Sequence, residues 1–223
     1  TAVIADGARI GDGCQIGPYC IVGAEVDLGQ ECVLQSHVVL DGNTLVGARC
    51  EFFSFACIGK KTQDLKLRGG TQYVEIGSDC TFREYVTVHT GTADGAKTIV
   101  GNHCKILAYC HIAHDCVLGD GIIMSNATNL AGHVVVEDNV TFGGMVGVHQ
   151  FTRIGEGTMV GGTCKVIQDI IPFSLVEGSP ATPVGINRIG LERRGFPEEK
   201  IRVLSAADKT LFRSRLRLEE ALA

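Results

Sequence analysis

Residues 100–172 decide the fold, and they read VGNHCKILAYCHIAHDCVLGDGIIMSNATNLAGHVVVEDNVTFGGMVGVHQFTRIGEGTMVGGTCKVIQDIIP. An apolar residue returns at every sixth position, at Val100, Ile106, Ile112, Leu118, Met124, Leu130, Val136, Phe142, Val148, Ile154, Val160 and Val166. A period of six fits neither an amphipathic helix nor a long alternating strand. It fits a parallel β-helix in which each six-residue unit forms one short strand and one corner.

The same period runs through residues 4–58 and returns at 76–88. We therefore expect a mainly β protein: a parallel β-helix of hexapeptide repeats over residues 1–173, with loop insertions at 60–75 and 89–99. Pro180 and Pro183 mark the end of the repeat. Residues 174–223 are predicted to form a linker and a C-terminal α-helical extension, with Pro197 at the start of a helix.

Composition excludes several classes of protein. The 223 residues carry a formal net charge of −5 and contain no apolar run near the ~20 residues of a membrane span. The basic residues lack interleaved aromatics, so a nucleic-acid partner is not expected. Nine of the ten cysteines fall four residues after an apolar position of the period, which predicts small buried side chains in a reducing, cytoplasmic compartment.

Three units should close one coil of eighteen residues, so residues eighteen apart should stack about 4.8 Å apart. His114 then lies below Gly132 and Gln150, and Asp115 lies below His133. We interpret the set that this spacing gathers as a functional site, namely His114, Asp115, Gly132, His133, His149 and Gln150.

Two kinds of chemistry suit such a set. Histidine is a common zinc ligand, but His111 and His114 fall on different parts of one unit and no cysteine shares the stripe. General-base catalysis fits better, because a neutral imidazole can take a proton from a hydroxyl or an amine while a neighbouring carboxylate orients it. We therefore expect neither a metal nor another cofactor, and direct attack of an acceptor on an acyl donor.

Four motifs carry a family resemblance: HIAHDCVLGDG (111–121), NATNLAGHVVVED (126–138), GGMVGVHQF (143–151) and VGINRIGLERRGF (184–196). In these motifs the chain resembles the UDP-N-acetylglucosamine 3-O-acyltransferases of lipid A biosynthesis. The resemblance implies a left-handed coil and a homotrimer with clefts between neighbouring prisms. It also implies transfer of an (R)-3-hydroxyacyl chain from acyl carrier protein to the sugar 3-hydroxyl of UDP-N-acetylglucosamine.

The resemblance also assigns roles to residues. His114 matches the general base, Asp115 its support, and Gly132 the amide that faces the oxyanion. Gly162 matches the position that limits acyl-chain length. The residues matching substrate contacts are Asp64, Lys66, His111, His133, His149, Gln150, Asn187, Arg193 and Arg194.

Two departures from the family pattern stand out. Ile189 replaces a glutamate that contacts uracil, and the family's C-terminal domain extends further than residue 223. Two other functions stay open from the residues alone: an N-acyltransferase acting on a 3-amino UDP-sugar, and a non-catalytic hexapeptide scaffold. The basic C-terminal region is either a platform for the acidic carrier protein or a solvated helical face.

Overall fold

The structure is a computed structural model that describes residues 1–67, 69–214 and 216–221. In these described residues, short strands recur from residue 3 to residue 186, and three helices follow them. The strands are β1 Val3–Ile4, β2 Arg9–Ile10, β3 Gln15–Ile16, β4 Ile21–Val22, β5 Asp27–Leu28, β6 Val33–Leu34, β7 Val39–Leu40, β8 Asn43–Val46, β9 Glu51–Phe52, β10 Cys57–Lys60, β11 Tyr73–Ile76, β12 Thr81–Phe82, β13 Thr87–His89, β14 Lys97–Val100, β15 Lys105–Ile106, β16 His111–Ile112, β17 Val117–Leu118, β18 Ile123–Met124, β19 Asn129–Leu130, β20 Val135–Val136, β21 Thr141–Phe142, β22 Gly147–Val148, β23 Arg153–Ile154, β24 Met159–Val160, β25 Lys165–Val166, β26 Ser174–Glu177 and β27 Thr182–Ile186. The helices are α1 Arg188–Arg193, α2 Glu198–Phe212 and α3 Leu218–Ala221.

These strands build the three walls of a left-handed parallel β-helix, which confirms the predicted fold. Wall 1 follows the order β1-β4-β7-β10-β13-β16-β19-β22-β25 and wall 2 the order β2-β5-β8-β11-β14-β17-β20-β23. Wall 3 runs β27-β26-β24-β21-β18-β15-β12-β9-β6-β3. Where no loop intervenes, neighbouring strands of the prism pair in parallel at the predicted spacing of eighteen, as Ile112 does with Leu130. The loop insertions lengthen this spacing, to thirty between Phe52 and Phe82.

The apolar residues of the period fill the prism. Phe52 and Phe82 are fully buried, and their rings stack with centroids 5.1 Å apart. All ten cysteines are free thiols, as predicted, and eight of them are buried; Cys14 and Cys57 are partly exposed. The core is therefore a column of layers, each packed against the layers above and below.

The corners place non-glycine residues in the left-handed backbone region. On the edge between walls 3 and 1, this conformation turns five ring side chains outward into a stacked column, with successive centroids 4.9 to 5.0 Å apart: Tyr19, His37, Phe55, Tyr85 and Tyr109. On the edge between walls 1 and 2, Asp115 and His133 adopt the same conformation. The corner geometry thus sets the direction of side chains that a regular strand would point elsewhere.

Two loops leave the edge between walls 1 and 2. Loop 1 spans residues 61–72 and loop 2 spans residues 90–96, so both are shorter than predicted because β10, β11, β13 and β14 extend into them. The loops are joined: the Thr71 N–H donates to Asp94 Oδ1 at 2.8 Å, and the Gly95 N–H donates to the Thr71 carbonyl at 2.7 Å. Both loops therefore rise along the edge that carries His114.

The chain does not leave the prism at residue 174, contrary to the predicted linker. Strand β26 pairs in parallel with β24 on wall 3, and β27 then adds an antiparallel strand. Pro197 is the N-cap of α2 rather than its first helical residue, and Ile201 buries the inner face of that helix. Within residues 1–67, 69–214 and 216–221, no helix has the length and apolar character to cross a membrane.

Candidate active site

A cleft of about 500 Å³ lies along the edge between walls 1 and 2. Loops 1 and 2 form one side of it, and three successive corners of the prism form the other. Its lining contains five residues predicted for the site, which are Asp64, Lys66, His114, His133 and Gln150. The eighteen-residue spacing brings His114, His133 and Gln150 to this cleft, and loop 1 brings Asp64 and Lys66.

His114 and Asp115 form a hydrogen-bonded pair at the centre of this cleft. His114 Nδ1 lies 2.8 Å from Asp115 Oδ2, and both side chains are largely buried. The left-handed conformation of Asp115 makes this contact possible, since adjacent side chains on a regular strand point to opposite faces. Nδ1 is thus engaged by a carboxylate, while Nε2 faces the cleft.

Hydrogen bonds keep Asp115 ionised. Burial opposes its charge, but the Thr92 hydroxyl, His114 and the Thr92 N–H offset that cost and hold the pKa of the carboxyl below its usual value. The Thr92 hydroxyl donates to Asp115 Oδ2 at 2.7 Å, and the Thr92 N–H lies 3.3 Å from Oδ1. A charged carboxylate in this position stabilises an imidazolium on His114.

Gly132 provides the space that the His114 ring occupies. A Cβ at residue 132 would lie 2.2 Å from His114 Cε1 and 2.4 Å from Nε2. Gly132 is buried beneath the ring, and the hydrogen bonds found among the described residues include none from its N–H. A glycine is therefore required at this corner for the ring to sit where it does.

Loop 1 brings a second carboxylate to His114. Asp64 Oδ2 lies 3.5 Å from His114 Nε2, and Asp64 Oδ1 accepts a hydrogen bond from the Lys66 N–H at 2.7 Å. The Lys66 side chain is exposed at the mouth of the cleft. A hydroxyl bound between Asp64 and His114 would contact both side chains.

His133 and Gln150 continue the site along the edge. The His133 ring stacks on Phe151 with centroids 4.6 Å apart, and His133 Nε2 lies 3.6 Å from Asp115 Oδ2. Phe151 is 66% exposed and lines the cleft, although it was not among the residues predicted from the sequence. The two rings form a flat platform beside His114.

His111 and His149 lie in a different groove. This groove, of about 470 Å³, runs over the outer face of wall 1 and includes Asn129, Gly147 and Lys165. His111 Nδ1 lies 2.7 Å from the Thr87 hydroxyl, and its ring packs edge-on against His89. Burial, aided by the neighbouring histidines, lowers the pKa of His111 to about 4, so its imidazole is neutral near pH 7.

The three C-terminal residues predicted for the nucleotide lie outside the His114 cleft. Asn187 and Arg193 line a separate pocket of about 490 Å³ on the outer face of wall 3, together with Ile189. Asn187 also caps α1, accepting from the Gly190 N–H at 3.0 Å. Arg194 pairs with Glu156 and lies over the Phe196 ring. One chain therefore does not assemble all the predicted contacts in one cavity.

Gly162 occupies a corner on the edge between walls 3 and 1, stacked on Gly144. It is exposed, and a Cβ added to it would meet only Gly144 atoms, the nearest being the carbonyl oxygen at 3.4 Å. The corner therefore leaves open space beside Gly162.

Among the described residues, one group of three possible metal ligands includes His114. His114, Asp115 and His133 offer ligand atoms within 4.8 Å of one another. Asp115 Oδ2, however, already accepts hydrogen bonds from Thr92 and His114. The expected absence of a metal stays a prediction.

Two family models match parts of the chain. Residues 7–42 match the family model of bacterial transferase hexapeptides, six repeats. Residues 169–223 match the model of domain 2 of UDP-N-acetylglucosamine O-acyltransferase.

Similar proteins cover nearly the whole chain. An acyl-[acyl-carrier-protein]–UDP-N-acetylglucosamine O-acyltransferase of Verminephrobacter eiseniae is 46% identical over 99% of this chain and 85% of its own length. The crystal structure of UDP-N-acetylglucosamine O-acyltransferase from Moraxella catarrhalis superposes with a TM-score of 0.93 and 39% identity, covering 99% of this chain and 86% of that one. A UDP-N-acetylglucosamine acyltransferase structure from Bacteroides fragilis superposes with a TM-score of 0.96 and 35% identity, and it likewise covers 99% of this chain and 86% of that one.

Proposed function

Because the chain belongs to the UDP-N-acetylglucosamine O-acyltransferase family, we propose that it transfers an (R)-3-hydroxyacyl chain from acyl carrier protein to the 3-hydroxyl of UDP-N-acetylglucosamine. The observation that carries this proposal is the His114–Asp115 pair, with Nδ1 engaged at 2.8 Å and Nε2 facing a cleft. The many free thiols suit the cytoplasm, where we place the reaction.

His114 acts as general base in this reaction. Nε2 takes the proton of the sugar hydroxyl while its oxygen attacks the thioester carbonyl carbon. Asp115, at Nδ1, stabilises the imidazolium. Asp64, which lies near Nε2, accepts a hydrogen bond from the sugar. The carbon–sulfur bond then breaks, and the proton on His114 passes to the leaving thiolate. No covalent bond to the enzyme forms.

The oxyanion of the tetrahedral intermediate is stabilised by the Gly132 N–H. Support comes from its position directly beneath the base and from the lack of an acceptor for it among the hydrogen bonds of the described residues. A preorganised backbone donor of this kind contributes about 10²- to 10³-fold in rate.

We assign the substrate contacts as follows. Lys66, His133 and Gln150 bind beside the base, and His111 and His149 bind along wall 1. Asn187, Arg193 and Arg194 bind the nucleotide end from another chain of a homotrimer. Their separation from the His114 cleft within one chain supports a site shared between chains. Ile189 leaves the uracil without a carboxylate partner, and the open corner at Gly162 accommodates a long acyl chain.

The test of function is an acyl-transfer assay with (R)-3-hydroxyacyl carrier protein. We expect turnover with UDP-N-acetylglucosamine and little with its 3-amino analogue. His114→Ala should lose nearly all rate while keeping its circular dichroism spectrum, because the base is gone and the fold does not depend on it. Retained turnover in this variant would remove the proposed base, and preference for the amino sugar would favour the N-acyltransferase.

The shared site is tested by mixing inactive variants. Light scattering should give a mass about three times the 23.7 kDa of one chain. Arg193→Ala and His114→Ala are each expected to be nearly inactive, and mixed trimers should regain part of the activity, since some interfaces then combine two intact halves. Mixed trimers without activity would mean that one chain supplies both parts.

A further inference from the structure

We propose that Thr92 is the positioning residue that holds the Asp115 carboxylate against His114. This inference deepens the proposed function and rests on it. Thr92 lies in loop 2, outside the hexapeptide period, and contacts the His114–Asp115 pair through Asp115. Its hydroxyl donates to Asp115 Oδ2 at 2.7 Å, and its N–H lies 3.3 Å from Oδ1.

Asp115 Oδ2 has two imidazoles within reach. His114 Nδ1 lies at 2.8 Å and His133 Nε2 at 3.6 Å. A modest rotation of the carboxyl group would exchange one contact for the other. The Thr92 hydroxyl opposes this rotation because it fixes the position of Oδ2.

The backbone of Asp115 is fixed independently of Thr92. The Asp115 N–H donates to the Thr98 hydroxyl at 2.9 Å, and the residue sits in a left-handed corner of the prism. Removal of the Thr92 hydroxyl therefore frees the side-chain torsions of Asp115 and leaves the chain path unchanged. Loss of the hydroxyl should therefore disturb the His114–Asp115 pair and leave the fold intact.

Loop 2 itself is anchored, so Thr92 can act as a rigid support. Asp94, two residues on, accepts from the Thr71 N–H of loop 1, and Thr90 donates its N–H to the Lys60 carbonyl at 3.0 Å. Thr92 is thereby tied to the prism on one side and to loop 1 on the other. Its substitution should alter the rate of proton transfer and leave sugar binding nearly unchanged.

The experiment compares Thr92→Val, Thr92→Ser and Thr90→Val. Thr92→Val removes a hydrogen bond to a charged group, so we expect kcat to fall about tenfold or more with KM for the sugar nucleotide within about twofold. Thr92→Ser keeps the hydroxyl and should retain most of kcat. Thr90→Val changes the same residue type in the same loop and should behave like the wild type. A fall in kcat in Thr92→Ser, or an unchanged kcat in Thr92→Val, would overturn the proposal.

A double-mutant cycle separates positioning from a general effect on structure. If Thr92 acts through Asp115, Thr92→Val should have little further effect in an Asp115→Ala background. An equal loss in both backgrounds would overturn the proposal. If the wild-type protein shows no turnover, the proposed function fails, but the inference about Thr92 can still be tested with a crystal structure of Thr92→Val. We expect the Asp115 carboxylate to turn from His114 toward His133. An unmoved carboxylate would refute the inference.

Discussion

Gly132→Ala tests whether the position of the His114 ring sets the rate. The added Cβ would fall 2.2 Å from Cε1, whereas ordinary contact begins at about 3.4 Å, so the ring must retreat by about 1.2 Å. That movement strains the 2.8 Å contact with Asp115. A displacement of about 1 Å costs about 10²-fold in rate, which corresponds to about 2.7 kcal/mol of transition-state stabilisation.

The substitution separates ring position from the backbone amide. Alanine keeps the N–H of residue 132, and the backbone there lies outside the left-handed region, so an alanine at this position is not strained by its own torsion angles. The lower entropy of the unfolded alanine chain offsets part of the cost of displacing the His114 ring, so we expect only a small change in stability. Steady-state kinetics and thermal melting should be measured on the same preparation.

Gly144→Ala provides a matched control. Residue 144 holds the same place in its hexapeptide, and a Cβ there meets only the Asn126 carbonyl oxygen, at 3.3 Å. We expect it to keep most of the activity. If Gly132→Ala turns over within about threefold of the wild type, the ring either does not lie over residue 132 or does not need its position, and the mechanism fails.

Two further predictions concern stability. His111, whose pKa of about 4 lies below the ordinary 6.5, stays neutral in the fold while it protonates in the unfolded chain, so stability falls as pH drops from about 6.5 to about 4. His111→Gln should remove at most about 2 kcal/mol of the loss in unfolding free energy between pH 7 and pH 5, measured by urea titration; an unchanged pH dependence would contradict this. Phe82→Ala deletes a fully buried ring stacked on Phe52 and should cost about 3–5 kcal/mol in the same titration, and a cost below 1 kcal/mol would show that the layers repack freely.

The repeat period was sufficient to predict the prism and the stacking of its corners. The buried apolar series specifies which residues face inward, and a spacing of eighteen then determines that Gly132 stacks against His114. The orientation of Asp115 did not follow, because side-chain alternation on a strand points it away from His114. The left-handed corner reverses that expectation, and no propensity of aspartate alone signals it.

The loops and the C-terminal strands were harder to predict for a related reason. Thr92 and Asp94 lie outside the period, so no spacing rule locates them, and their contacts depend on the path of the whole loop. Strand β26 continues wall 3 without the regular six-residue period, so the period does not reveal it. Arg193 lies in the C-terminal segment beyond the period, so no spacing rule relates it to His114.

The independence of each coil from distant ones has a consequence for how such a protein changes length. Every layer contacts its immediate neighbours, so an extra coil inserted into residues 1–59 would lengthen the prism and leave the edge that carries His114 unchanged. The same insertion between Asp115 and His133 would part the two by a further ~4.8 Å and dismantle the site without disturbing the architecture. The number of coils can thus change without changing the arrangement of the residues around His114.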